Sequence, residues 1–165
     1  MGRRAESLAD RIEEGAADLS AFAEGLSEAE WHAPLSRNGG DRRSIGVIVN
    51  HVASVYPIEI DLARTIASGK AVTHVTWEIV AELNARHAHD QAGVTKAATL
   101  ELLRQNSREA AEAVRAFTDD ELDRAASFSL SFGAPVTAHS SSRTTHYGTA
   151  GTTWRGFARF SAADR

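Results

Sequence analysis

Apolar residues recur at three- and four-residue spacing through most of the first 120 residues, and that period predicts helices rather than strands. The first helix is expected from about Glu6 to Leu26, with Leu8, Ile12, Ala16, Leu19, Phe22 and Ala23 on one face and charges between them. Ser27 and Glu30 have the spacing of a capping box at the head of a short turn ending in Trp31, which is expected to pack against that helix. The stretch from His32 to Arg43 reads as a loop from its Pro, Asn and Gly-Gly content. A long second helix follows from Ser44, the expected N-cap, to Ser68, with Gly69 as its stop. Ile45, Ile48, Val52, Val55, Glu59, Leu62 and Ile66 are its predicted inner face, and Pro57 is expected to kink it. A third helical region opens near Thr76 with Trp77, Ile79, Val80 and Leu83 and ends at Ala92-Gly93. Thr95 caps a fourth periodic stretch to about Phe117, whose face is Leu100, Leu103, Ser107, Ala110, Val114 and Phe117 with Ala111 beside them. Thr118 to Leu122 resembles one more capped short helix.

Within that pattern the chemistry rests on histidines. His51 lies one turn before Val55 and one turn after Val47 and Ile48, so its ring is expected on the core side. Two readings stand for it: a core-edge imidazole bonded to a neighbouring helix, or a metal ligand projecting into a bundle. One histidine cannot decide, since a metal site needs about three protein ligands. His87 and His89 are two residues apart and face different ways on a helix, so they read as solvated helix residues. His32 reads as a loop histidine. Glu59 and Asp61 are near enough in sequence to orient His51, although solvated helix charges are the plainer reading.

Composition narrows the chemistry further. The 165 residues suit a single core, and the chain contains no cysteine, which excludes disulfides, thiolate metal sites and cysteine nucleophiles. The net charge of −4 gives no electrostatic reason to expect nucleic acid. No run was expected to be long and apolar enough to span a membrane, so a cytoplasmic location is the simplest expectation. No nucleotide-binding loop, GxSxG or HExxH occurs.

Two stretches, RSIGVIVNHVASVYPIEIDLARTI from Arg43 and FTDDELDRAASFSLSFGAPVTA from Phe117 to Ala138, together with the order of helices around them, resemble the DinB-like superfamily. That superfamily includes YfiT-like bundles and mycothiol-dependent maleylpyruvate isomerase-like bundles. The resemblance covers roughly residues 5 to 138. It implies an all-α, up-down-down-up four-helix bundle with a divalent metal, nickel or zinc, between helices. Three histidines hold such a metal, one at the position of His51 and two in an HxxxH pair on the last helix. It also implies metal-dependent thiol transferase or hydrolase chemistry, with a low-molecular-weight thiol such as mycothiol as a cofactor of the transferase type.

The chain departs from that pattern after Ala138. No HxxxH occurs, and from Arg124 to Ala163 there is no Asp or Glu. A domain of residues 1–138 is therefore expected to be followed by an atypical Ser/Thr/Gly/Arg-rich tail, 139–165, with the fourth helix altered or missing. Back-translated with G/C-favoured codons and read from the third base of its first codon, the tail becomes QLVEDHALRHGRHHLARLRA, an amphipathic segment containing HALRH. A frameshifted fourth helix is the hypothesis this suggests, and the coding DNA around Ala138 tests it. On this reading only His51 maps onto the metal site, and the site is incomplete. An apolar groove left by a missing helix would be covered by the tail aromatics or by a second copy, so a homodimer is expected. The other reading is a noncatalytic helical binding or scaffold protein that no longer holds metal.

Overall fold

The computed structural model describes residues 2–35 and 42–141. Three long helices carry the architecture: α1 (Arg3–Gly25), α3 (Ile45–Ala67) and α5 (Lys96–Arg115). Between and after them lie α2 (Glu28–Trp31), α4 (Trp77–Asp90) and α6 (Asp119–Asp123). A short hairpin, β1 (Ala125–Ser127) paired antiparallel with β2 (Pro135–Thr137), closes the described fold. Helix α5 packs along both α1 and α3. One continuous apolar core runs between these three helices and reaches Leu122, Ala126 and Ala138.

The helix boundaries follow from capping chemistry legible in the sequence. Ser44, Thr76 and Thr95 accept from the backbone N–H three residues on, and Ser27–Glu30 and Thr118–Glu121 form reciprocal capping boxes. Gly69 takes φ +79° and ends α3, with its N–H bonded to Ile66 and that of Lys70 bonded to Thr65, as in a Schellman motif.

Helix α3 is the central element. Every residue from Ile45 to Asn50 is buried, so this end of the helix has no solvent face. Beyond Val52 the buried stripe is Ala53, Tyr56, Ile60, Ala63 and Ala67 with Ile66, so Val55, Glu59 and Leu62 lie at its edge rather than in it. The expectation that no segment reaches membrane-span length and composition is corrected: α3 does reach it, but over half of that window is buried against the bundle, which accounts for its apolarity.

Pro57 sits inside α3 on its exposed side and removes the N–H that would bond the Ala53 carbonyl. That carbonyl accepts instead from Asn106 Nδ2 of α5 at 2.8 Å. The gap left by the proline thus becomes a tie between the helices. Asn106→Leu should cost about 1–3 kcal/mol by orphaning the buried carbonyl, and less in a Pro57→Ala background, where the restored N–H takes it. Chemical denaturation of the four proteins of this cycle measures the coupling; additive effects would refute it.

At the far end of α5, Arg115 holds Glu13 at 2.8 Å, Glu6 at 3.1 Å and Asp10 at 3.3 Å, all on α1. Helix α4 differs from the others in having no buried residue. Its inner stripe, Val80, Asn84, His87 and Ala88, is only half-buried, and Trp77, Ile79 and Leu83 are exposed.

The hairpin was not expected from the helical period. Phe128, Leu130 and Phe132 alternate as in a strand, yet Ser129–Ser131 form a 3-10 turn, and Phe132 sits at φ +55° with its side chain exposed. Val72 extends the hairpin by bonding Ser127 and Ser129 through its backbone, both at 2.9 Å. After β2, Thr137 and Ser140 exchange hydrogen bonds across a helical turn, residues 138–141. The boundary placed between residues 138 and 139 falls in this turn. The rest of the tail, residues 142–165, lies outside the described residues.

Candidate functional site

The histidine of α3 meets a histidine of α4. His51 is half-buried, and its ring lies edge-to-face against that of His87, with centroids 5.1 Å apart and planes at 67°. One turn of α3 supplies the surroundings: Asn50 beside His51, and Ser54 one turn further on. Asn50 Oδ1 lies 2.9 Å from His87 Nε2, and Ser54 Oγ lies 3.2 Å from the same nitrogen. Asn50 is itself buried and donates through Nδ2 to Thr99 Oγ1 of α5 at 3.1 Å. Ser54 donates its proton to the His51 carbonyl at 2.9 Å. Three helices therefore converge on one polar cluster at the buried end of α3.

The solvated reading of His87 is corrected. The i, i+2 spacing does turn the two histidines of α4 different ways, as predicted: His89 is exposed beside Asp90, whereas His87 faces α3. The sequence offered one signal, since His87 falls on the Val80–Asn84–Ala88 stripe. The polar partners Asn50, Ser54 and Thr99 were missed because each sits in a stretch read for its apolar neighbours. Asp61 pairs with Arg64 at 3.2 Å, and the charge of Glu59 lies beside Tyr56, whose phenol is pushed up to about 12, chiefly by burial. The partners that shape the histidine cluster are therefore Asn50 and Ser54. His32 is exposed near Glu28.

Electrostatics keep both rings neutral. Desolvation pulls His51 down to about 4, with the neighbouring His87 and Arg43 adding to the shift. His87 is lowered by desolvation and by Arg43, against a small opposing pull from Asp90. The unfolded chain protonates these histidines near 6.5, whereas folded His51 protonates only near 4. This contribution is complete above pH 6.5 and is lost as the pH falls from there to about 4. For a ring still partly open to water the screened loss is about 1–2 kcal/mol. Carboxylates such as Glu13, held down by Arg115, also titrate in acid. The comparison is therefore metal-free wild type against His51→Asn: the variant should show the shallower acid loss by urea denaturation at pH 7, 5.5 and 4.5, and parallel profiles would contradict the assignment.

The sequence profile of the DinB superfamily matches residues 11–144. The chain belongs to the DinB superfamily. Among solved structures, the fold is similar to YfiT from Bacillus subtilis, described as a probable metal-dependent hydrolase with an unusual four-helix bundle topology. The two share 17% sequence identity with a TM-score of 0.69, over 98% of this chain and 90% of that one. No curated protein matches the chain. The superfamily fold thus extends over the four-helix architecture expected from the sequence, with His51 on its central helix.

The donor chemistry around His51 suits a divalent metal in kind. Both imidazoles are neutral at pH 7, and His87 Nδ1 is a buried ring nitrogen with no hydrogen-bond partner. In number the set falls short: among the described residues no group of three His, Asp or Glu side chains could hold a metal ion.

Proposed function

We propose that the chain is a metal-dependent enzyme of the hydrolase type in which His51 supplies a neutral imidazole to a divalent ion, nickel or zinc. The observation that carries this reading is the His51 ring itself: half-buried, held neutral by desolvation, and facing a second neutral imidazole. When bound, such a metal lowers the pKa of its water, or of a thiol, and supplies a nucleophile at neutral pH. The residues of the chain set the rest. Asn50 and Ser54 hold the His87 ring, and Thr99 holds Asn50 from α5. Transfer to a small thiol such as mycothiol is the other chemistry the superfamily resemblance supports.

One sequence fact favours a second reading. The chain has no HxxxH pair, so the ligand triad implied by the superfamily resemblance is incomplete, and a noncatalytic bundle that has lost its metal would look the same around His51. Calorimetric titration of the full chain with Ni²⁺ and Zn²⁺, beside His51→Ala, separates the two. Stoichiometric binding that vanishes in the variant supports the enzyme reading. No binding, or binding indifferent to His51, leaves the bundle as a scaffold.

A further inference from the structure

We infer that the outward face of α4, formed by Ile79, Glu82, Leu83 and Arg86, is a docking surface for the same helix of a second copy of this chain, packed antiparallel about a twofold axis. This face points away from the bundle, and its pairing involves no metal.

The face is apolar where a solvated helix would be polar. Five large apolar residues are exposed among the described residues, and three of them, Trp77, Ile79 and Leu83, belong to α4. Ile79, Leu83 and Arg86 follow at i, i+4 and i+7, so they share one side, with Glu82 beside them. The other side turns Val80, Asn84, His87 and Ala88 toward the bundle, and none of these is fully buried. A fourth exposed apolar group, Phe132, is 93% exposed and sits at φ +55°. A bulky side chain in the left-handed region is strained, and a ring this exposed has no packing to offset the strain. The hairpin that carries Phe132 is fastened to the head of α4, where Ser129 Oγ donates to the Val75 carbonyl. Phe132 therefore belongs to the same end of α4 as Trp77. Apolar groups gathered in this way on a folded surface mark an interaction site.

The charges on the face choose the occupant. Glu82 and Arg86 flank Leu83, and among the described residues neither is held in an ion pair. A twofold axis midway between Ile79 and Arg86 sets Leu83 against its own counterpart and Ile79 against the aliphatic stem of the other copy's arginine. Helical side chains lean toward the N-terminus of their own helix, so in an antiparallel pair Glu82 and Arg86 lean toward each other across the contact. Symmetry makes two such acid–base pairs at once. A parallel pair would instead set glutamate beside glutamate and arginine beside arginine. The face is thus complementary to itself, as a contact between identical copies requires. Its 14 residues span only about 21 Å, so the contact is small and a dissociation constant of roughly 10–100 μM is expected. Pairing gives α4 a packed outer side and holds against α3 the helix that carries His87.

Sedimentation velocity of the metal-free full chain, from about 5 μM to about 500 μM, is the test. Wild type should pass from monomer to dimer over that range. Leu83→Arg sets two like charges at the axis and should weaken association at least about 30-fold. Glu82→Arg alone and Arg86→Glu alone should each stay monomeric, because each sets like charges across the contact. An equimolar mixture of those two variants should dimerise, since every charge then meets its opposite. Both positions are exposed, so this pair of variants keeps the question decidable should Leu83→Arg not fold. A wild type still monomeric at the top of the range would overturn the inference and leave the face to a different partner. A dimer left intact by Leu83→Arg and by both charge variants would place the contact elsewhere on the chain. A mixture no more dimeric than its components would refute the pairing of Glu82 with Arg86.

Discussion

Gly46→Ala should lower the melting temperature of the protein by about 5–10 °C, the equivalent of about 2–3 kcal/mol. Helix propensity alone predicts the reverse, because alanine in place of glycine inside a helix gains about 1 kcal/mol. Sterics decide the sign. A Cβ on Gly46 would lie 2.4 Å from Trp31 Cε2 and 2.5 Å from Nε1, far inside the roughly 3.5–4.0 Å of a normal carbon contact. Trp31 cannot swing away: it is fully buried, and its Nε1 donates to the Val94 carbonyl at 2.9 Å. The close approach of the α3 backbone to that ring anchors α2, the start of α3 and the α4–α5 turn together. A calorimetric melt settles it, and an unchanged or raised melting temperature would mean that the indole does not pack on Gly46.

Asn50→Leu is the second large effect, with an expected loss of about 2–3 kcal/mol at nearly constant side-chain volume. The leucine removes the hydrogen-bond partner of His87 Nε2 and the donor to Thr99 Oγ1, both at the buried end of α3. Because deleting both members of a buried pair is milder than deleting one, Thr99→Val should cost less in the Asn50→Leu background than in the wild type. Denaturation midpoints of the two single variants and the double variant measure this coupling. Strict additivity would show that the Asn50–Thr99 bond contributes nothing. Asn50→Leu should also loosen α4, which has no buried residue of its own and meets α3 through His87. Faster amide exchange across Val80–Ala88 is the accompanying readout.

Much of this architecture was legible in the chain because its helices are punctuated by strong local signals. Ser27, Ser44, Thr95 and Thr118 cap where the sequence placed them, α4 opens at Thr76 as expected, and Gly69 stops α3. The superfamily resemblance, carried by the stretch around His51 and by the segment from Phe117, agrees with the profile match. The hairpin after α6 escaped because strands of three residues are too short to show a period, and because Val72, remote in sequence, completes them. Asn106 escaped because its role depends on a carbonyl freed by Pro57 on another helix. The proline was legible as a missing helix N–H; that a side chain of α5 would take up the freed carbonyl was not. His51 was placed on the inner side of α3 by spacing, but nothing in that spacing told that its neighbour would be His87. Such pairing depends on how α4 lies against α3, and α4 carries only a weak apolar stripe to announce it.

The central claim is that a divalent metal binds at His51. The most direct measurement is anomalous diffraction at the zinc edge from crystals of the full chain grown with Zn²⁺. The account predicts an anomalous peak at bonding distance from a His51 ring nitrogen. Peaks confined to exposed histidines such as His32 and His89, or no peak at all, would contradict it.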